Sequence, residues 1–384
     1  MTSSRRSFLR SLGVGTAAGV AAHWSLGEVP AANAAEPATA KGSDGFIHLD
    51  SNENAYGPSA RVAQAIRSAL GKVNRYPFRK YDEVTAQIAR FHRVKPENVL
   101  FACGSTEILR VAACAFAGSG RQLIQAVPTY EAIAGYAKAV GSEVVSVPLN
   151  RSFAHDLEDM RARTNASAGL VYICNPNNPT SSLTPREEIE DFVKRSPATT
   201  RVLIDEAYHQ YVVRTGTYAS FIDKPLNDDR VIVTRTFSKV YGLAGLRLGY
   251  AVAAPTAIEE MRKFLTADSL NAIIAEVVGV ALDDVAGVAE SVKRNSDQRQ
   301  EFLNSSNIRS LKPIDPHANF VMVDVQHPVE QVIEHFRQHN ILIGRRFPIL
   351  DTYMRVSLGT PAEMVAFWKA WDLLPWSHKM IHRM

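Results

Sequence analysis

Short apolar runs alternate with helix-patterned stretches through the middle of this chain, and that alternation limits the fold more than any other feature. Val99 to Ala102, Gln122 to Val127, Glu143 to Val147, Gly169 to Cys174, Val202 to Ile204 and Val231 to Thr234 read as strands. Thr106 to Phe116 and the stretch around Glu131 to Val140 read as helices between them. Strands that alternate with helices predict an α/β fold with a mostly parallel sheet covered on both faces. From about Ser269 the pattern changes to a long helix and then to shorter strands at Phe320 to Val325 and Arg355 to Leu358, which predicts a second, smaller α+β domain. The 384 residues, 46% of them hydrophobic and 21% charged, suffice for two such cores. No internal repeat interrupts this plan.

The first residues read as an address. Ser4-Arg5-Arg6-Ser7-Phe8-Leu9-Arg10 resembles the twin-arginine export motif of bacteria. A mildly apolar run from Leu12 to Ala22 follows, too short for a membrane span, and Ala32-Asn33-Ala34 offers a small-residue cleavage site. The expected organisation is therefore a signal peptide over 1–34, a leader and the N-terminal part of the small domain over 35–74, the large cofactor-binding domain over 75–268 and the C-terminal small domain over 269–384. Export to the periplasm by the twin-arginine machinery is the expected location. The formal charge is +4, and three of the basic residues, Arg5, Arg6 and Arg10, lie in the signal against Glu28 alone. No basic patch mixed with aromatics remains, so nucleic acid is not an expected partner. Cys103, Cys114 and Cys174 neither pair at metal-ligand spacing nor form a disulfide framework, and no metal site is expected.

Four segments carry chemistry. The most specific is Thr236-Phe237-Ser238-Lys239, followed by the glycine-rich stretch from Gly242 to Tyr250. A lysine just after an apolar strand suits a covalent link to an aldehyde cofactor, with Ser238 and Arg247 gripping its phosphate. Asp205 ends another strand, in Leu203-Ile204-Asp205-Glu206-Ala207-Tyr208. A carboxylate there would keep a ring nitrogen protonated, and Tyr208 could hydrogen-bond the ring's phenolic oxygen; a helix N-cap is the plainer use of Asp205. Asn178, in the turn Asn175-Pro176-Asn177-Asn178-Pro179-Thr180, could meet the same oxygen, although the segment is equally a rigid turn. Cys103-Gly104-Ser105-Thr106-Glu107 sits where a strand gives way to a helix, so the Ser105 and Thr106 amides could face a phosphate, or simply be part of a capping box.

Together these segments resemble the fold-type-I pyridoxal-phosphate aminotransferases, over roughly Phe46 to Thr360. The likeness is nearest to the histidinol-phosphate aminotransferase branch, through Leu49-Asp50-Ser51-Asn52-Glu53-Asn54-Ala55-Tyr56-Gly57-Pro58, Arg75-Tyr76-Pro77, Pro128-Thr129-Tyr130 and Arg355-Val356-Ser357-Leu358-Gly359. The resemblance implies an aspartate aminotransferase-like fold with a seven-stranded type of sheet, pyridoxal 5'-phosphate as cofactor, and Lys239 as the lysine that holds it. It implies that Tyr130 stacks on the cofactor ring. Tyr76 would reach the cofactor phosphate of a neighbouring subunit, hence a homodimer with shared sites. Arg355 would clamp the substrate's anionic group, and Tyr56 and Arg345 would complete that pocket. The plain alternative for Arg355 is a salt bridge to Asp351. The implied reaction moves an amino group from an amino acid or amino-alcohol phosphate to a 2-oxo acid. Departures from the family pattern are Ser181, Ala55 and Thr106, where glycine, proline and an acidic residue are usual. A decarboxylase or an oxidase of the same fold would use the same cradle. A non-catalytic exported binding protein would have little reason to keep Lys239, Asp205, Asn178 and Arg247 together.

Overall fold

The computed structural model describes residues 42, 44–213 and 215–377. The twin-arginine-like segment, the apolar run after it and Ala32-Asn33-Ala34 lie outside the described residues. In chain order the elements are β1 (Ile47–Leu49), α1 (Ala60–Ala69), α2 (Tyr81–His92), β2 (Val99–Ala102), α3 (Ser105–Phe116), β3 (Gln122–Val127), α4 (Ala132–Ala139), β4 (Glu143–Pro148), α5 (Leu157–Arg163), β5 (Ala168–Cys174), α6 (Arg186–Arg195), β6 (Arg201–Asp205), β7 (Val231–Thr236), β8 (Gly249–Ala253), α7 (Pro255–Arg262), α8 (Ala272–Leu282), α9 (Val285–Ile308), β9 (Lys312–Pro313), β10 (Phe320–Asp324), α10 (Val329–Gln338), β11 (Ile341–Ile343), β12 (Tyr353–Ser357) and α11 (Pro361–Asp372).

Seven strands form the main sheet in the order β2-β8-β7-β6-β5-β3-β4. β8 runs antiparallel to both β2 and β7, and the remaining neighbours pair in parallel. β5 shows why the sheet must be covered twice: all seven of its residues are buried, so neither face can meet water. One face packs on α1, α2, α5, α6 and α8 through residues such as Val62, Ile88, Met160, Phe192 and Val277. The other packs on α3, α4 and α7 through Ile108, Ile133 and Met261. Each buried aliphatic side chain contributes roughly 1.5–3 kcal/mol, so these two layers fix the sheet firmly. Within this sheet the strand not expected from the sequence is β8, which begins at Gly249 inside the glycine-rich stretch.

The C-terminal elements build a second core. β12, β10 and β9 form an antiparallel sheet, and β1 pairs in parallel with β11. Phe302 of α9, Phe336 of α10 and Phe367 and Trp371 of α11 fill the space beside them. The expected long helix after Ser269 is two helices. Asp283 ends α8 and Asp284 caps α9, its carboxylate accepting the Gly287 N–H. The β1–β11 pair carries the chain from Asp50 onward into the space between the second core and the carboxyl ends of the main strands. No described helix is long and apolar enough to cross a membrane.

Candidate active site

Parallel strands deliver their carboxyl ends to one edge of a sheet, and loops there are free to carry function. In this chain β5, β6 and β7 end at Cys174, Asp205 and Thr236. A cavity of about 650 Å³ opens at that edge. It is lined by Ser105, Thr106, Tyr130, Asn178, Asp205, Tyr208, Ser238, Lys239, Arg247, Arg345 and Arg355, which are eleven of the thirteen site residues expected from sequence.

Lys239 follows β7 by three residues and points its Nζ at two backbone carbonyls, Asn52 O at 2.8 Å and Ser51 O at 3.3 Å. Burial lowers its pKa to about 8, and the positive charge of Arg355 adds to that, with Arg247 contributing less. Desolvation is the larger of these causes. Asp205 lies deeper. Burial pushes its carboxyl up to about 6, opposed by the Tyr172 hydroxyl, which donates at 2.9 Å, and by the Ala207 N–H at 3.1 Å. A turn and a short 3-10 segment follow Asp205, so it caps no α-helix and faces the cavity instead.

The anion-binding corner is made by close approach. Gly104 has φ +79, and a Cβ there would collide with the Arg247 guanidinium. A Cβ on Gly249 would collide with the backbone at Gly104 and Ser105. The two glycines thereby press Arg247 against the start of α3, whose first amides have no helical acceptor. Arg247 also donates to Ser238 Oγ at 3.3 Å and Ala244 O at 2.9 Å. Neither Ser105 nor Thr106 caps the helix; Glu107 takes the Cys103 N–H at 2.8 Å.

Opposite this corner, Arg355 on β12 is buried. It donates to Asn178 Oδ1 at 2.9 Å and to Asp50 O at 2.5 Å, and its Nε has no partner. Asp351 does not serve it, because Asp351 pairs with Arg346. Asn178 therefore spends its amide oxygen on Arg355 and keeps its N–H groups for the cavity. Arg345 gives one arm to Glu131 and lies over the Phe347 ring at 4.4 Å.

Two expected residues stand elsewhere in the chain. Tyr56 lies under the Arg294 guanidinium at 4.7 Å, beside a separate small cleft. It packs there because Asn54 binds Val240 O and Ser291, drawing the loop toward α9. Tyr76 is 77% exposed and stacks on Phe78 at 5.0 Å, outside the cavity of its own chain. Sequence reasoning missed Tyr172, Asn52, Asn319 and Glu131. Asn52 takes a left-handed conformation, φ 53, and its Nδ2 donates to the Tyr208 hydroxyl at 3.2 Å. Asn319 donates to the carbonyls of Asn52 and Glu53, both at 3.0 Å, holding the segment that Lys239 touches.

These features fit pyridoxal phosphate. A phosphate would find Ser105, Ser238 and Arg247, a protonated ring nitrogen would find Asp205, and an aldehyde carbon would find Lys239. The lowered pKa of Lys239 has a measurable consequence. Only the neutral amine attacks an aldehyde, so reactivity is present above about pH 8 and is lost as pH falls through that value. At about pH 7.5 roughly a quarter of Lys239 is neutral, against roughly a thousandth for an ordinary lysine. The rate at which cofactor-free enzyme takes up pyridoxal phosphate, followed by absorbance, should climb with pH and level off near 8. A rate still climbing at pH values typical of free lysine would contradict this picture.

Comparison with known proteins agrees with the site. A family model described as aminotransferase class I and II matches residues 44–370. The chain is 33% identical to a histidinol-phosphate aminotransferase from Caldicellulosiruptor saccharolyticus, over 86% of this chain and 92% of that protein. It is 34% identical to the enzyme of that name from Moorella thermoacetica, over 84% of each. The crystal structure of histidinol-phosphate aminotransferase from Sinorhizobium meliloti in complex with pyridoxal-5'-phosphate superposes with a TM-score of 0.79 at 27% identity, covering 86% of this chain and 90% of that one. The cavity, its buried lysine and these relatives agree: the chain belongs to the aminotransferase class I and II family and is a pyridoxal-phosphate-dependent aminotransferase.

Proposed function

We propose that this enzyme moves an amino group between an amino acid or amino-alcohol phosphate, of the aromatic or histidinol-phosphate kind, and a 2-oxo acid. The observation that carries this reading is Arg355. A guanidinium buried without a carboxylate partner is costly unless an anion joins it. Arg355 lines the same cavity as Lys239, so the missing anion is the carboxylate or phosphate of the substrate. The names of the relatives add histidinol phosphate to the candidates.

Pyridoxal phosphate, when bound, supplies an aldehyde and an electron sink. The rest is work for the chain. Arg355 orients the substrate through a planar fork. With the cofactor bound, the Lys239 amine would be the base that takes the proton from the substrate's α-carbon and hands it back later in the reaction. Asp205 would keep the ring nitrogen protonated, and Asn178 and Tyr208 would hold the ring's phenolic oxygen. Tyr130 would stack on the ring. Donor and acceptor use the site in turn, which gives ping-pong kinetics.

Two further readings concern assembly and location. The enzyme is a homodimer in which Tyr76 reaches the partner's cofactor phosphate. In support, Tyr76 and Phe78 stack on each other and both are exposed, as are Leu70 and Val73 a few residues earlier, which suits burial against a second copy. The enzyme is exported by the twin-arginine machinery to the periplasm, a reading supported by the order of motif, apolar run and cleavage site in the first 34 residues.

Arg355→Lys keeps the charge and loses the fork. Specificity for donor and acceptor should fall by about 2–4 kcal/mol, with cofactor content and absorbance unchanged. Wild-type specificity for both would make Arg355 structural. For the second reading, wild-type protein should be recovered from the periplasm as a dimer without its first residues. Arg5→Lys with Arg6→Lys should leave the precursor in the cytoplasm. An unprocessed, monomeric wild-type chain in the cytoplasm would contradict both parts.

A further inference from the structure

Two arginines face the substrate end of the cavity, and they are not equivalent. Arg355 is buried and meets no carboxylate among the described residues. Arg345 is half exposed and already paired with the Glu131 carboxylate, its other arm donating to Arg346 O at 2.9 Å. The two guanidinium groups share one ring, lying 4.4 Å and 4.9 Å from the Phe347 centroid. The Gly344 N–H also donates to Arg355 O at 2.9 Å. Both cations therefore belong to one subsite. Glu131 reaches it from the other half of the chain, at the start of α4 and next to Tyr130. A second carboxylate, Asp50, lines the same cavity; its Oδ2 takes the Ser51 hydroxyl at 3.1 Å and its Oδ1 lies 3.8 Å from His48 Nδ1. Ile333 and Ile343 complete the wall.

Taking the transamination reading as given, we propose that Glu131 is a specificity-determining residue. Of the two kinds of substrate that reading leaves open, it favours amino acids that bring one carboxylate and an uncharged, apolar side chain over phosphate esters. A single carboxylate needs one fork, and Arg355 supplies it. A phosphate monoester carries between one and two negative charges near neutral pH and draws on more than one cationic donor. Here the second cation is already neutralised, and the phosphate would come to rest beside two carboxylates. An exposed ion pair adds little to stability, so the Glu131–Arg345 contact is a poor brace. Its charge acts instead on what enters: selection by repulsion of the wrong ligand is as effective as attraction of the right one. If Glu131 turns toward solvent, its charge still stands at the rim that a phosphate must pass. Phe347, Ile333 and Ile343 offer an apolar side chain a surface free of this penalty.

The test uses the holoenzyme and two probes without an amine, phenylpropionate and phenethyl phosphate, with binding read by calorimetry. Neither can be transaminated, so recognition is measured apart from turnover. Wild type should bind the carboxylate more tightly. Glu131→Gln should shift the ratio of the two dissociation constants about tenfold toward the phosphate, the scale expected from one nearby like charge. Adding Arg345→Gln to that variant should remove the gain. A wild type that prefers the phosphate probe, or a ratio unmoved by Glu131→Gln, overturns the proposal. A shifted ratio in an enzyme that transaminates no amino acid would instead contradict the transamination reading and leave the role of Glu131 standing.

Discussion

The buried carboxylate of Asp205 is the interaction on which the site depends. An acid at the end of a central parallel strand gives up its water, and the described chain returns only a tyrosine hydroxyl and one backbone N–H. That is too little to hold a full negative charge comfortably, which is why its carboxyl sits near 6. A cationic ring nitrogen beside it would restore the balance. The fold thus stores a need for positive charge at a fixed depth below Lys239. Because β5, β6 and β7 end side by side, the Tyr172 hydroxyl reaches Asp205, and Asp205 and Ser238 line one cavity.

The same logic runs through the opposite rim. Arg355 is buried among Phe320, Phe347 and polar oxygens and is short of an anion, as Asp205 is short of a cation. Lys239 stands between the two, desolvated and kept neutral more readily by Arg355. Its contacts with the Ser51 and Asn52 carbonyls depend on Asn319 and Ser357 from the second core, which hold that segment in place. A site of this kind is built from both cores at once, and shifting either would move the lysine relative to its proton acceptor.

Much of this was legible in the sequence, for physical reasons. Strands buried on both faces read as continuous apolar runs, so β2, β3, β5, β6 and β7 stood out, and chemistry placed just after such runs, at Asp205, Ser238 and Lys239, falls at one sheet edge. β8 did not stand out, because its first residue is a glycine needed for close approach to Ser105, and that glycine reads as loop. Tyr172 looked like one more apolar strand residue; only the pairing of β5 with β6 reveals that its hydroxyl serves Asp205. Asn52, Asn319 and Glu131 act across separations of more than a hundred residues, which no local pattern encodes. Tyr56 lies apart from the cavity of its own chain because hydrogen bonds from Asn54 turn its loop toward α9. The alternative partner for Arg355, Asp351, was reasonable by spacing and failed because Arg346 takes it.

The central claim is that Lys239 carries the cofactor, and chemical trapping tests it most directly. Borohydride treatment of the holoenzyme followed by tryptic mass spectrometry should place one pyridoxyl phosphate mass on the peptide that spans Thr236 to Arg247, with cleavage after Lys239 blocked. Label on any other lysine, or an unmodified peptide from protein that still shows cofactor absorbance, would contradict the account.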